Sequence, residues 1–147
     1  MRLAWMILSV AVGAVLAGCG GSAPTTPMRP QGPVVVTFEA ADASRFRALL
    51  TDPADIANAE GLLAGDPGPS IPNGRVIRAT GVNTGWSWSL DPADFDWAEV
   101  TIEGCDGNPS DVEAPTWTSD RYCPWAAKVV AVDPAPAGTD TVPSPAP

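Results

Sequence analysis

From Val34 onward, apolar and polar positions alternate. Val34, Val36 and Phe38 fall on one side, and Val35, Thr37 and Glu39 on the other. That is the period of a half-buried strand. Ser44 is placed to cap a short helical turn carrying Phe46, Leu49 and Leu50 at i, i+3, i+4 spacing. Asp52-Pro53 then gives a helix start, with a cap oxygen followed by proline at the first helical position. Ile56, Ala59 and Leu63 make its apolar stripe, and Gly65 can end it in the left-handed conformation.

Asp66 to Pro69 reads as loop, and Gly74 opens a strand through Val82. After a turn at Asn83-Thr84-Gly85, the strict alternation of Trp86-Ser87-Trp88-Ser89-Leu90 predicts a strand that Asp91-Pro92 ends. Trp97 to Gly104 alternates again. Ala98, Val100 and Ile102 are expected to face in, opposite Trp97, Glu99, Thr101 and Glu103. Asn108-Pro109 starts a second short helix through Glu113, and the apolar run Lys128 to Val132 predicts a last strand, central in the sheet. The order β-α-β-β-β-α-β predicts an α+β fold. It would be one antiparallel sheet of about five strands, with two short helices packed on one face.

The ends of the chain have a different character. After Met1-Arg2, Leu3 to Leu16 is an apolar run too short to span a bilayer and suited to the core of a secretory signal. It closes on Leu16-Ala17-Gly18-Cys19, which resembles the lipobox of bacterial lipoproteins. That resemblance implies cleavage before Cys19 and lipidation of its thiol. Residues 1–18 are then a signal peptide, and residues 19–33 a lipidated cysteine with a Pro/Gly-rich spacer. Residues 34–132 form the globular part, and 133–147, rich in proline, read as a disordered tail. The localisation expected is a lipid-anchored cell-membrane protein on the extracytoplasmic face. In a source with two membranes that means the periplasm or the outer membrane.

Composition narrows the chemistry. The chain has 147 residues, no histidine, 3 cysteines and a net charge of −9. Without histidine there is no Ser-His-Asp or Cys-His catalysis and no His-ligated zinc. The negative charge argues against nucleic acid as a partner. No sequence pattern calls for a cofactor or a metal. With Cys19 assigned to lipid, Cys105 and Cys123 remain as an even pair in an exported protein, and so as a disulfide. A globular part of this size needs such assistance.

Three segments together form a distinctive series: Trp86 to Pro92, Glu103 to Glu113, and Arg121-Tyr122-Cys123-Pro124-Trp125. Leu50-Thr51-Asp52-Pro53 and Ile71 to Arg75 fit upstream. The series resembles a family of small secreted domains of bacteria and fungi, similar to the N-terminal domain of a slime-mould calmodulin-binding protein. The resemblance spans nearly all of 34–132 and supports the Cys105–Cys123 bridge, but it implies no catalytic residues. Calmodulin binding does not carry over. A calmodulin target wants a basic amphipathic helix, and Lys128 is the single lysine here.

Two kinds of side chain could carry function. Trp86 and Trp88 share a predicted strand face and could stack a sugar ring, although core packing is the plainer reading of large aromatics in a small domain. Trp125, beside Cys123, is expected on the disulfide, while Trp97 and Trp117 are the rings expected at the surface. The acidic series Asp91, Asp94, Asp96, Glu99, Glu103 and Asp106 lacks the spacing of a calcium loop and reads as a solvated face. No acid pair is selected by spacing for glycoside hydrolysis. The expectation is a non-enzymatic, lipid-anchored binding domain with an unidentified envelope or extracellular partner. The alternatives are a carbohydrate-binding module using Trp97, Trp117 or the Trp86/Trp88 pair, and a small inhibitor of secreted proteases presenting the loop between Cys105 and Cys123.

Overall fold

The computed structural model describes residues 32–139. Cys19, the apolar run before it, most of the spacer and residues 140–147 lie outside the described residues. The domain is a small α+β fold with two helices and two three-stranded antiparallel sheets, tied by one disulfide. The strands are β1 (Val34–Glu39), β2 (Arg45–Leu50), β3 (Ile71–Ile77), β4 (Ser89–Ala98), β5 (Arg121–Tyr122) and β6 (Lys128–Pro134). The helices are α1 (Pro53–Ala64) and α2 (Pro109–Glu113). The first sheet has the order β2-β1-β6 and the second β4-β3-β5.

The expected single sheet is thus two sheets, and the segment assigned to a helical turn is a strand of the first. Arg45 to Leu50 pairs along the whole of β1, with Phe38 opposite Phe46 and Glu39 opposite Arg45. Phe46, Ala48 and Leu50 are buried at period two. A six-residue run holding Phe46, Leu49 and Leu50 fits both periods, and here pairing decided the outcome. Ser44 closes the hairpin: its N–H and Oγ–H both donate to Oδ1 of Asp42, at 3.0 and 2.6 Å. β6 is paired on one side only and so forms an edge instead of the centre, and it continues past Val132 to Pro134.

Helix α1 forms as its signals predict. Oδ1 of Asp52 accepts the Ala54 N–H at 2.7 Å, Pro53 takes the first turn, and Gly65 closes the helix at φ 91°. Helix α2 starts at Asn108, whose N–H donates to Oδ2 of Asp111 at 2.7 Å.

β4 departs most from expectation. It begins only at Ser89, so Trp86 and Ser87 lie in bends before it, and it runs through Asp91-Pro92 to Ala98. Its register against β3 jumps from Leu90 opposite Val76 to Phe95 opposite Gly74. Arg75 alone on β3 therefore faces the bulge Asp91-Pro92-Ala93-Asp94. A proline that would break a ladder is accommodated there, because bulged residues need not donate. Gly74 permits the close approach just beyond: a Cβ there would sit 3.3 Å from Cβ of Leu90.

The core fills the space between the sheets. Val34, Val36, Phe38, Phe46, Trp88 and Tyr122 are wholly or almost wholly buried. The rings interlock: Phe38 stacks on Phe46 at 4.9 Å, and Tyr122 meets Phe46 and Trp88 edge-on at 5.2 Å each. Burial, and after it the carboxylates of Asp106, Asp42 and Asp111, push the Tyr122 phenol far above its ordinary value. Its O–H donates to the Gly107 carbonyl at 3.1 Å.

Candidate functional site

The strand expected over Trp97 to Gly104 ends at Ala98, and this inverts the assignment of its faces. Trp97 turns inward, only 8% exposed, with its indole N–H on the Asp55 carbonyl at 3.2 Å. Val100 and Ile102, expected inside, lie outside strand structure and are 85% and 76% exposed. In period-two patterning, a slip of one residue exchanges the two faces.

A disulfide-closed turn follows these two residues. Ile102 leads into a 3₁₀ turn, Glu103–Cys105, and Cys105 is bonded to Cys123, 18 residues on. The Cys123 N–H also donates to the Cys105 carbonyl at 2.7 Å. The chain then turns through Pro124 to Ala127 into β6. Oδ1 of Asp106 accepts the Trp125 N–H at 2.9 Å, and the indole N–H of Trp125 donates to Oγ1 of Thr101 at 2.5 Å. Trp125 is 43% exposed, and its indole rests on Thr101, which the exposed Val100 and Ile102 flank. Trp125 also lines a cleft of about 390 Å³ with Leu62, Ser70, Ala126 and Lys128. Glu99, Glu103 and Asp106 stand exposed around the patch of Val100, Ile102 and Trp125.

The remaining tryptophans belong to the interior or its rim. Trp88 is fully buried and Trp86 is half-buried beside it, with ring centroids 6.3 Å apart. The Trp86 indole N–H donates to the Arg45 carbonyl at 2.9 Å, so the ring seals the edge of β2. Trp117, expected outside, is half-buried and meets Tyr122 edge-on at 5.9 Å. Among the described residues, the buried indole N–H groups of Trp88 and Trp117 have no hydrogen-bond partner. Trp88 and Trp97 are thus buried, while Trp86 is half-buried at the rim. Sequence reasoning passed over Trp125 because the adjacent cysteine suggested burial. The signal that could have found it is Pro124, which starts a turn.

The acidic series is not one face. Asp91 and Asp94 close on Arg75 from the bulge, and Asp94 also takes Arg121 at 2.9 Å. Burial pushes the Asp91 carboxyl up, but the Arg75 hydrogen bond, the Ala93 N–H and the Arg75 charge outweigh it, so the group sits below its ordinary value. Arg75 is correspondingly raised, chiefly by its hydrogen bond to Asp91. Oδ1 of Asp96 accepts its own neighbour's N–H, from Trp97 at 2.8 Å. Among the described residues, no three or more Cys, Asp or Glu side chains gather to hold a metal ion.

A second concavity, about 420 Å³, crosses the outer face of the first sheet between Val35, Thr37, Arg47, Thr84 and Asp133. Its cation is engaged from within, since Nη1 of Arg47 donates to Oγ1 of Thr84 at 2.5 Å. The segment between the cysteines is no free-standing loop. Trp117 packs on Tyr122, the Asp120 carbonyl accepts the Val76 N–H at 2.7 Å, and the Arg121 side chain bonds Asn73 and Asp94. No helix among the described residues is long and apolar enough to cross a membrane.

No curated protein and no solved structure matches the chain. A family model described as the BP-74 N-terminal domain matches residues 32–136. The match covers both sheets, the disulfide and the patch beside it. The chain belongs to the BP-74 N-terminal domain family.

Proposed function

We propose that the protein is a non-enzymatic binding domain, tethered through lipid on Cys19 at the extracytoplasmic face of a membrane, with Val100, Ile102 and Trp125 as its binding face for another protein. The observation that carries this reading is the exposure of two aliphatic side chains and one indole beside a disulfide-closed turn. Exposed apolar side chains grouped on a surface, unlike ones scattered singly, mark an interaction site.

The placement of the patch supports the same reading. The chain comes in at Gly32 and Pro33, beside Ala135, whose N–H donates to the Pro33 carbonyl at 3.0 Å. Trp125 lies in the turn at the other end of the first sheet, next to Lys128, which pairs with Glu39. The length of β1, about 17 Å at ~3.3 Å per residue, separates the two ends. A tether at Cys19 would thus enter the domain at the end of β1 opposite Trp125.

Of the rings named for the carbohydrate alternative, Trp88 and Trp97 are buried and Trp86 and Trp117 half-buried. The protease-inhibitor alternative has little support, because the segment between the cysteines is bound into the second sheet. Two measurements test the proposal. Mass spectrometry of the N-terminal peptide should find acyl mass on Cys19; an unmodified thiol there removes the tether. Capture of envelope proteins by the parent should be lost in Val100→Ser/Ile102→Ser, while retention of capture by that variant removes the binding face.

A further inference from the structure

Resting on that binding face, we propose that its partner is a protein segment with basic side chains around an apolar or aromatic anchor. Val100 and Ile102 flank Thr101, on whose Oγ1 the exposed Trp125 indole rests, and these side chains make the centre of the patch. Its rim carries Glu99, Glu103 and Asp106, all exposed. Among the described residues, none of these three carboxylates takes part in an ion pair. The described arginines are engaged elsewhere. Arg45 pairs with Glu39, Arg75 with Asp91, and Arg121 with Asp94. Arg47 donates to Thr84, and Arg78 to the Val112 carbonyl at 2.7 Å. Lys128 lines the cleft beside Trp125, and its neighbour across the ladder is Glu39, which also holds Arg45.

The domain thus spends its cations closing its own sheets and leaves the rim of the patch negative. A chain of net charge −9 adds a long-range field of the same sign. Rim charges steer encounter and reject like-charged partners, while the apolar centre supplies the contact free energy. Screening over roughly 8 Å at physiological salt still lets three carboxylates around one patch act together. An anionic lipid surface is repelled by this rim. A neutral sugar could use the indole but would gain nothing from the carboxylates. A basic segment with one aliphatic or aromatic side chain matches both parts: its anchor covers Val100 and Ile102, and its ammonium or guanidinium groups meet Glu99, Glu103 and Asp106.

The test uses the full chain in detergent micelles and two fluorescent amphipathic peptides with identical Leu and Trp positions, one with Lys at every polar position and one with Glu. The Lys peptide should bind about tenfold more tightly in ~50 mM salt, the gap closing toward ~500 mM. Glu99→Gln/Glu103→Gln/Asp106→Asn should weaken it about fivefold, while Arg45→Gln leaves it unchanged. The amide introduced in place of the Asp106 carboxylate keeps an oxygen acceptor for the Trp125 N–H. Val100→Ser/Ile102→Ser should abolish binding. Unchanged near-ultraviolet circular dichroism confirms that each variant is folded. Equal affinity for both peptides, lost in the Val100/Ile102 variant, overturns the charge assignment and leaves the binding face standing. Affinity that survives in that variant overturns the face itself, and failure of both peptides to bind overturns the proposal.

Discussion

The backbone N–H of Arg47 donates to Oδ1 of Asn83 at 2.8 Å, and Asn83 itself is completely buried. Its Nδ2 donates in turn to the Trp88 carbonyl at 2.9 Å. One amide side chain therefore closes the free edge of β2 and holds the approach to β4. An edge strand left bare is a template for unwanted pairing, and Asn83 and the Trp86 indole cover this one. Asn83→Ala removes two buried hydrogen bonds and strands both backbone partners, so it should cost about 2–4 kcal/mol in urea unfolding. A loss below about 0.5 kcal/mol would mean that water replaces the amide without penalty.

The disulfide should matter to a comparable degree. Cys105→Ala/Cys123→Ala reopens a loop 18 residues long and should lose about 3 kcal/mol in the chain-entropy treatment. Denaturant midpoints of the oxidised parent and the double variant measure this directly. Coincident midpoints would show that the 3₁₀ turn and the Cys123 to Cys105 backbone bond hold the base of the patch unaided.

The hairpin between β1 and β2 contains the one non-glycine residue with positive φ among the described residues, Ala43 at φ 64°. An alanine side chain in the left-handed region is strained against its own backbone. Ala43→Gly should stabilise the domain by about 0.5–1 kcal/mol, after allowing for the greater freedom glycine has when unfolded. Thermal unfolding would read it as a rise in Tm, and a fall would mean that Ala43 makes a compensating contact.

Two aspartates should bend the pH profile in opposite directions. Asp91 is held below its ordinary 3.8 in the folded state, so its contribution is fully present above that value and is lost as pH falls through the lower folded one. Asp91→Asn should therefore flatten the acid limb of stability. Asp55 is raised, first by burial and then by Asp52 and Asp96. Its contribution is present below 3.8 and lost as pH rises through the folded value, so Asp55→Asn should gain stability at neutral pH. Unfolding free energies from acid to neutral pH decide both signs; an unchanged acid limb in Asp91→Asn would contradict the first.

How much of this could be seen in the sequence depends on which residues carry local chemistry. Asp52-Pro53 and Gly65 define α1 because caps act within a few residues. Val34 to Glu39 and the Cys105–Cys123 pair were equally legible. Arg45 to Leu50 was not, since its apolar residues fit helical and extended spacing and only pairing with β1 separates them. Asp91-Pro92 read as a strand end because the bulge that shelters it depends on Arg75 across the ladder. The candidate site suffered most. The expected exposure of Trp97 and burial of Val100 and Ile102 are both reversed, because the strand stops at Ala98.

The same reversal makes a fluorescence prediction. Of the described tryptophans, Trp125 should carry the largest share of acrylamide quenching, because Trp88 and Trp97 are buried and Trp86 and Trp117 half-buried. Trp125→Phe should remove that share and leave a shielded, less quenchable emission. Quenching unchanged in Trp125→Phe would place the accessible ring elsewhere.

If Val100, Ile102 and Trp125 form a protein-binding face, a partner must touch Ile102 in the cell. Site-specific photocrosslinking in living cells measures this, with the crosslinking residue placed at Ile102 and, as a control, at Ala43 in the β1–β2 hairpin. A discrete protein adduct is expected from position 102 that disappears when Val100→Ser is added, and none from position 43. No adduct from position 102, or the same adducts from both positions, would overturn the binding face.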